Sequence, residues 1–175
     1  MKIKQILFTI CLLCVLSMGA FAQQFAYVDS EYILSNIPEY TAAEKQLDGL
    51  SEKWQAEIDQ KFAEIEKMYQ EYQTKQASMT ENVRRSFEDA IIEKEQEAKQ
   101  LQQQKFGYEG DLYKERERLM EPLETKVSEA IKALAEKENL DVVFDKSNGM
   151  NMLFARPELD KSRAVLNLMG LQARD

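Results

Sequence analysis

Between Thr41 and Met120 the chain carries no proline, and glycine only at Gly49, Gly107 and Gly110. The rest of this stretch is rich in Glu, Lys, Gln and Ala, all strong helix formers. Little but long helix can be built from it. Apolar residues recur at three- and four-residue steps: Leu47, Leu50, Trp54, Ile58, Phe62 or Ile65, Met68 or Tyr69, and Tyr72. They resume with Val83, Phe87, Ile91, Ala98, Leu101, Tyr108 and Leu112. Each helix thus has one apolar stripe at heptad-like spacing, and a stripe needs a second helix to cover it.

Residues 76–82 carry no stripe residue in phase. Ser78 and Glu81 have the spacing of a capping box, which starts a new helix. The expected arrangement is an antiparallel hairpin turning near Ser78. Stripe then meets stripe, with Tyr72 opposite Val83, Tyr69 opposite Phe87, Ile65 opposite Ile91, Ile58 opposite Ala98 and Trp54 opposite Leu101. A single unbroken helix is the alternative, and it would leave the stripe to a partner chain. Each arm helix of about 37 residues reaches roughly 55 Å. The pairs Glu57–Lys61, Glu71–Lys75 and Glu95–Lys99 stand in the favourable i,i+4 order, worth a few tenths of a kcal/mol each.

The start of the chain has a different character. Lys2 and Lys4 precede an apolar run over residues 6–18, and Ala20-Phe21-Ala22 supplies small residues at a cleavage site. This is the pattern of a secretory signal peptide over residues 1–22, cut between Ala22 and Gln23. An uncleaved anchor is the alternative. Cys14 follows Leu12 and Leu13, which does not suit a lipidation site. Cys11 and Cys14 are the only cysteines and there is no histidine. The exported chain therefore has no disulfide, no thiol nucleophile and few routes to a transition-metal site.

Other chemistries are equally poorly supported. No phosphate-binding glycine loop is present, so ATP use is not expected. The carboxylates lie along solvated helices, and none is singled out as an acid–base pair. Residues 145–149 lack the spacing and the later Glu of an ion-binding loop. No catalysis, cofactor or metal is expected. Without residues 1–22, 21 Lys and Arg face 31 Asp and Glu, a net charge of −10. Such a chain repels nucleic acid and anionic lipid, and no stable membrane insertion is expected after cleavage.

Both ends read as parts of one compact body. Residues 24–29 suit a strand, and Ser30 would cap a short helix stopped by Asn36-Ile37-Pro38. Pro122 marks a kink or a first turn. Leu123, Val127, Ala130, Ile131 and Leu134 follow on one helix face, and Asn139 ends that helix. Residues 140–144 form a strand. Ser147-Asn148-Gly149 would turn it into a return strand over residues 151–155. A last helix over residues 161–169 is capped by Asp160 and stopped by Gly170. The fold class is α+β: a small body from residues 23–40 and 119–175, and a helical hairpin arm from residues 41–118 with its tip near residues 76–82. Edge strands in so small a body need covering, which self-association would supply.

The opening Phe25-Ala26-Tyr27-Val28-Asp29 with Glu31-Tyr32-Ile33-Leu34 is similar to that of the Skp/OmpH chaperones. So is the run from Met120-Glu121-Pro122-Leu123 through Ala130-Ile131 to Asn139-Leu140-Asp141-Val142-Val143-Phe144-Asp145, and the closing helix after Arg156-Pro157. The resemblance covers nearly all of the chain beyond residue 22. It implies a jellyfish-like homotrimer with a β-rich trimerisation body and three coiled-coil arms around a cavity. It implies an ATP-independent periplasmic holdase that keeps unfolded outer-membrane β-barrel proteins soluble. Phe25, Tyr27, Val28, Leu140, Val142, Val143, Phe144 and Leu153 would build the body. The charge departs from the family's best-known, basic members; Lys75, Arg84 and Arg85 are a small basic remnant near the tip.

A holdase needs adaptable apolar side chains, and Met suits such surfaces. Phe62, Met68, Tyr69, Met79, Phe106 and Tyr108 are the candidates for client contact. The plainer reading is that each fills the seam between the helices. Gly107 and Gly110 could serve as a hinge or simply ease local packing. A periplasmic coiled-coil spacer or adaptor is the competing function. Lys94 and Lys105 interrupt the stripe and the tip is free, which favours the chaperone.

Overall fold

The structure, a computed structural model, describes residues 24–147, 149 and 152–173. The expected signal segment, its cleavage point, and Asn148 and Asn151 of the expected turn and return strand lie outside these residues. Strand β1 spans Phe25–Val28. Helix α1 (Ser30–Ser35) follows at once. Its cap is Asp29, whose Oδ1 accepts from the Tyr32 amide at 2.8 Å, while Ser30 is the first helical residue. Ser30 is thus not the cap that its position suggested. A carboxylate there meets the free amides more strongly than a hydroxyl.

Helix α2 (Pro38–Lys75) is the long outgoing element, with Pro38 in its first turn. Its 38 residues extend roughly 57 Å. A single 3₁₀ turn, Gln76–Ser78, reverses the chain. Helix α3 (Glu81–Phe106) then returns beside α2. The capping box does not form. The Ser78 hydroxyl donates back to the Lys75 carbonyl, and Thr80 sits at the α3 cap position with no side-chain bond.

The return is in two pieces. Helix α3 stops at Phe106, and helix α4 runs over Asp111–Glu138. Helix α4 continues through Pro122, so this proline starts no helix. The buried Met120, Leu123 and Val127 beside it hold the helix in spite of the missing donor. Asn139, at φ 54°, ends α4 in the left-handed conformation. Strand β2 (Val142–Asp145) pairs in parallel with β1, Phe25 opposite Val142 and Val28 opposite Asp145. Tyr27 also bridges to Asp160, after which helix α5 (Ser162–Leu168) closes the body. The cap position of α5 is Lys161 rather than the expected Asp160, whose carboxylate instead accepts from the amide and hydroxyl of Ser162 just inside the helix.

The expected third strand is absent: residues 152–156 adopt no regular structure. The described sheet has two strands, and residues 152–156 do not pair with either. Leu153 is 99% and Phe154 83% exposed. The body core lies instead between α1, α4, α5 and the sheet. It contains Val28, Ile33, Ile37, Val127, Leu134, Val165 and Leu166. Each such side chain contributes roughly 1.5–3 kcal/mol by leaving water. Lys146 pins the chain ends together, within 3.4 Å of both Asp29 and Asp160 and over the Tyr27 ring.

Candidate functional site

Two regions carry apolar side chains that the chain's own fold leaves open: the arm and one face of the body. The arm is thin, so its seam covers only the inward part of each stripe. Near its base, Ala43 and Leu47 of α2 pack on Met120 of α4, flanked by Tyr40, Leu112 and Leu119. Further out, Ile65 of α2 packs on Ile91 and Ala98 of α3, flanked by Met68, Tyr72 and Phe87. The rings of Tyr72 and Phe87 stack at 5.9 Å, and Trp54 meets Phe106 edge-on at 6.4 Å. These partners lie about one turn beyond the expected Val83 and Leu101. Val83 is consequently exposed.

Polar ties reinforce the register. Tyr69 donates to Glu95 at 2.7 Å and Tyr72 donates to Glu88, each from α2 to α3. Those carboxylates hold both phenols above their ordinary pKa. Lys61 reaches across to Glu97 at 3.8 Å rather than to Glu57 on its own helix. The expected pairs Glu71–Lys75 and Glu95–Lys99 are formed.

The candidate contact residues divide by environment. Met68 packs on the outer cluster and Phe106 on Trp54, so both serve the seam. Met79 is half-buried at the tip. Phe62 and Tyr69 are exposed, and Tyr108 is 96% exposed. Three further residues, Val83, Ile92 and Tyr113, are open to solvent although the stripe analysis did not single them out as contacts. For Ile92 the signal was available: Ile91 takes the inward position, so its neighbour must point away.

Tyr108 stands where α3 and α4 part. Gly107 and Gly110 bound this corner, and neither has room for a side chain. A Cβ on Gly107 would lie 2.3 Å from the Gln103 carbonyl oxygen, and one on Gly110 would lie 2.9 Å from two carbonyl oxygens. Glu109 between them has a φ of 51°. Across the corner, Lys105 donates to Asp111 at 2.6 Å and lies 4.8 Å from the Trp54 ring centre. The Lys105 hydrogen bond holds the Asp111 carboxyl below its usual range.

On the body, the strand alternation sorts the expected residues onto two faces. Val28 and Val143 turn into the chain's own core. Phe25, Tyr27 and Phe144 turn outward, with Phe25 and Phe144 stacked at 6.2 Å. These three line an apolar groove with Met152, Leu153, Phe154 and Leu159. Val142 is exposed at the sheet margin and Leu140 is half-buried. Met152, Phe154 and Leu159 had not been singled out: only Leu153 was named from the expected return strand, and strand alternation would turn its neighbours to the opposite face.

Among the described residues, no cluster of three acidic, His or Cys side chains could hold a metal, and no helix is long and apolar enough to cross a membrane. No described buried side-chain polar atom lacks a partner. What the two regions offer chemically is adaptable apolar surface.

The comparisons agree with this geometry. No curated protein matches the sequence. The crystal structure of a candidate OmpH-like outer membrane chaperone from Caulobacter crescentus matches the fold with a TM-score of 0.65. Its identity to this chain is 12%, and 85% of each chain is covered. The model of the OmpH-like outer membrane protein family matches residues 24–169. The chain belongs to the OmpH-like family.

Proposed function

We propose that this chain is an exported, ATP-independent holdase chaperone that binds unfolded outer-membrane β-barrel proteins in the periplasm and keeps them from aggregating. The observation that carries this reading is the pairing of a free-ended arm bearing exposed Phe62, Tyr69, Val83, Ile92 and Tyr108 with an open apolar face on the body. Membership of a family named for outer membrane proteins supports it, and that family is not one of enzymes.

The body is assigned to residues 23–40 and 119–175, the arm to residues 41–118 and a cleaved signal to residues 1–22. The open face with Phe25, Phe144, Leu153 and Phe154 joins three copies. Apolar area of this kind is stable in water only when covered. Three arms around a cavity then hold a client through many weak contacts at high effective concentration. Gly107 and Gly110 let the arms spread. A spacer would need a continuous apolar seam, whereas Lys105 enters this arm's seam beside Trp54.

The test is the light-scattering mass of the exported protein, alone and after dilution of a urea-unfolded outer-membrane β-barrel into it. A mass of three chains that rises by one soluble client is expected. A trimer that leaves the client to aggregate would support the spacer, and a monomer would overturn the assembly as well.

A further inference from the structure

Gly49 sits inside α2, is exposed, and has nothing within 4 Å of where its Cβ would be. No packing demands a glycine there, and alanine would favour the helix by about 1 kcal/mol. The residues beside it, Leu47, Asp48 and Ser51, line one groove with Gly107, Tyr108 and Leu112. So the soft point of the outgoing helix lies at the level of the corner in the returning chain. The buried clusters respect the same level. The inner one ends at Leu47 and Leu112 on the body side, and burial resumes on the tip side at Ile58 and then at Ile65 and Ala98.

Lys105 spans this level. It belongs to the last turn of α3 on the tip side, while Asp111 opens α4 on the body side. Its ammonium is held between the Asp111 carboxylate, at 2.6 Å, and the Trp54 ring, at 4.8 Å. Its side chain is 18% exposed, the most covered among the described ion-paired cations. The backbone bonds within the corner are few: Gly107 to Gln103 and Gly110 to Gly107.

We propose that the arm bends at one plane, through Gly49 and residues 107–110, and that Lys105 is a positioning residue that latches this plane closed through Asp111 and Trp54. This deepens the client-holding reading and rests on its hinge. With the latch closed, tip and body segments move as one rod. With Lys105 released, two glycine-weakened connections and the longer Gln104–Asp111 hydrogen bond, at 3.5 Å, join them. A client with anionic groups near the corner would compete with Asp111 for the ammonium and so loosen the arm it occupies.

The test uses the assembled protein with spin labels on one chain in three, at Gln73→Cys and Glu136→Cys, and the single Trp54 as optical reporter. The wild type should give one narrow label–label distance. Lys105→Gln and Asp111→Asn should each broaden it about two-fold and raise Trp54 quenching by acrylamide to a similar extent. The double variant should add nothing to either single one, because one contact is lost in each case. Lys105→Arg should keep the narrow distance. Gly49→Ala placed on Lys105→Gln should narrow the distribution again. Wild-type protein in ~1 M salt, where screening acts over about 3 Å, should broaden without any substitution. Unchanged widths in salt and in both variants would overturn the latch, even where Trp54 quenching rises. No client is present in these measurements, so failure of the holdase reading leaves them unaffected.

Discussion

The ring of Tyr72 stacks on the ring of Phe87 at 5.9 Å, and the same Tyr72 donates its hydroxyl to Glu88. One side chain on the outgoing helix thus fixes the returning helix by an apolar face and a polar tip. This pair is the outermost aromatic contact of the arm and sets the phase of everything toward the body.

Phe87→Ala should therefore loosen the tip half of the arm. Loss of the ring pair and part of its buried area should lower local stability by ~1–2 kcal/mol. Hydrogen exchange should show faster exchange between Glu64 and Ala98, with body amides unaffected. Uniform protection would mean that the pair does not set the register.

The glycines make a contrasting pair. Gly107→Ala drives a Cβ against the Gln103 carbonyl oxygen, so the corner must rebuild, at a cost of roughly 1–3 kcal/mol. Gly49→Ala meets open space within a helix and should stabilise by ~0.5–1 kcal/mol. Thermal unfolding followed by circular dichroism reads both. Equal effects at the two positions would contradict the assigned geometry.

Asp145 should make the body sensitive to acid. Burial pushes its carboxyl up, but hydrogen bonds from the hydroxyls and amides of Ser30 and Ser147 outweigh this and hold it below the ordinary value. At Asp160 burial is likewise outweighed, by Ser162 and Lys146. Both groups bind protons more readily when unfolded. Their stabilisation is complete above the unfolded carboxylate pKa of about 4 and is lost as pH falls through the lower folded values. The thermal midpoint should drop on acidification from about pH 5 to 3, and Asp145→Asn should flatten that drop.

Leu153→Asp combined with Phe154→Asp places two charges on the open face without touching the body core. The helical circular dichroism should remain, because these side chains have almost no contact within the chain. The light-scattering mass should fall toward one chain. An unchanged mass would place the assembly surface elsewhere.

Replacing Phe62 and Tyr108 together by serine spares the Tyr69–Glu95 tie and should lower stability by no more than ~1–2 kcal/mol. The amount of unfolded β-barrel held in solution should decline. Full retention of holding activity would transfer the contact role to Tyr69, Val83 and Ile92.

The sequence by itself determined the helical character of the arm, the reversal near residues 76–80, and the return of both chain ends to one body, but not the break at residues 107–110 or the passage of α4 through Pro122. The absence of proline, the apolar stripes, and strand-like runs at residues 25–28 and 142–145 suffice for that. These are local properties, and local energetics decide them. Of the candidate residues, Gly107 and Gly110 were legible as a soft point of the returning chain, while Tyr108 read only as one more stripe residue. Their environments were not. The tertiary structure alone decided that Tyr72 meets Phe87 and Trp54 meets Phe106. The expected Ile65–Ile91 packing is kept, while Tyr72 and Trp54 each take an aromatic partner about one turn along, a choice between same-face residues that periodicity does not make. It decided that Lys61 crosses to Glu97, because a flexible side chain chooses among carboxylates by distance. It also decided that residues 152–156 leave the sheet unextended and lie along its apolar groove instead, a long-range placement that their local sequence does not set.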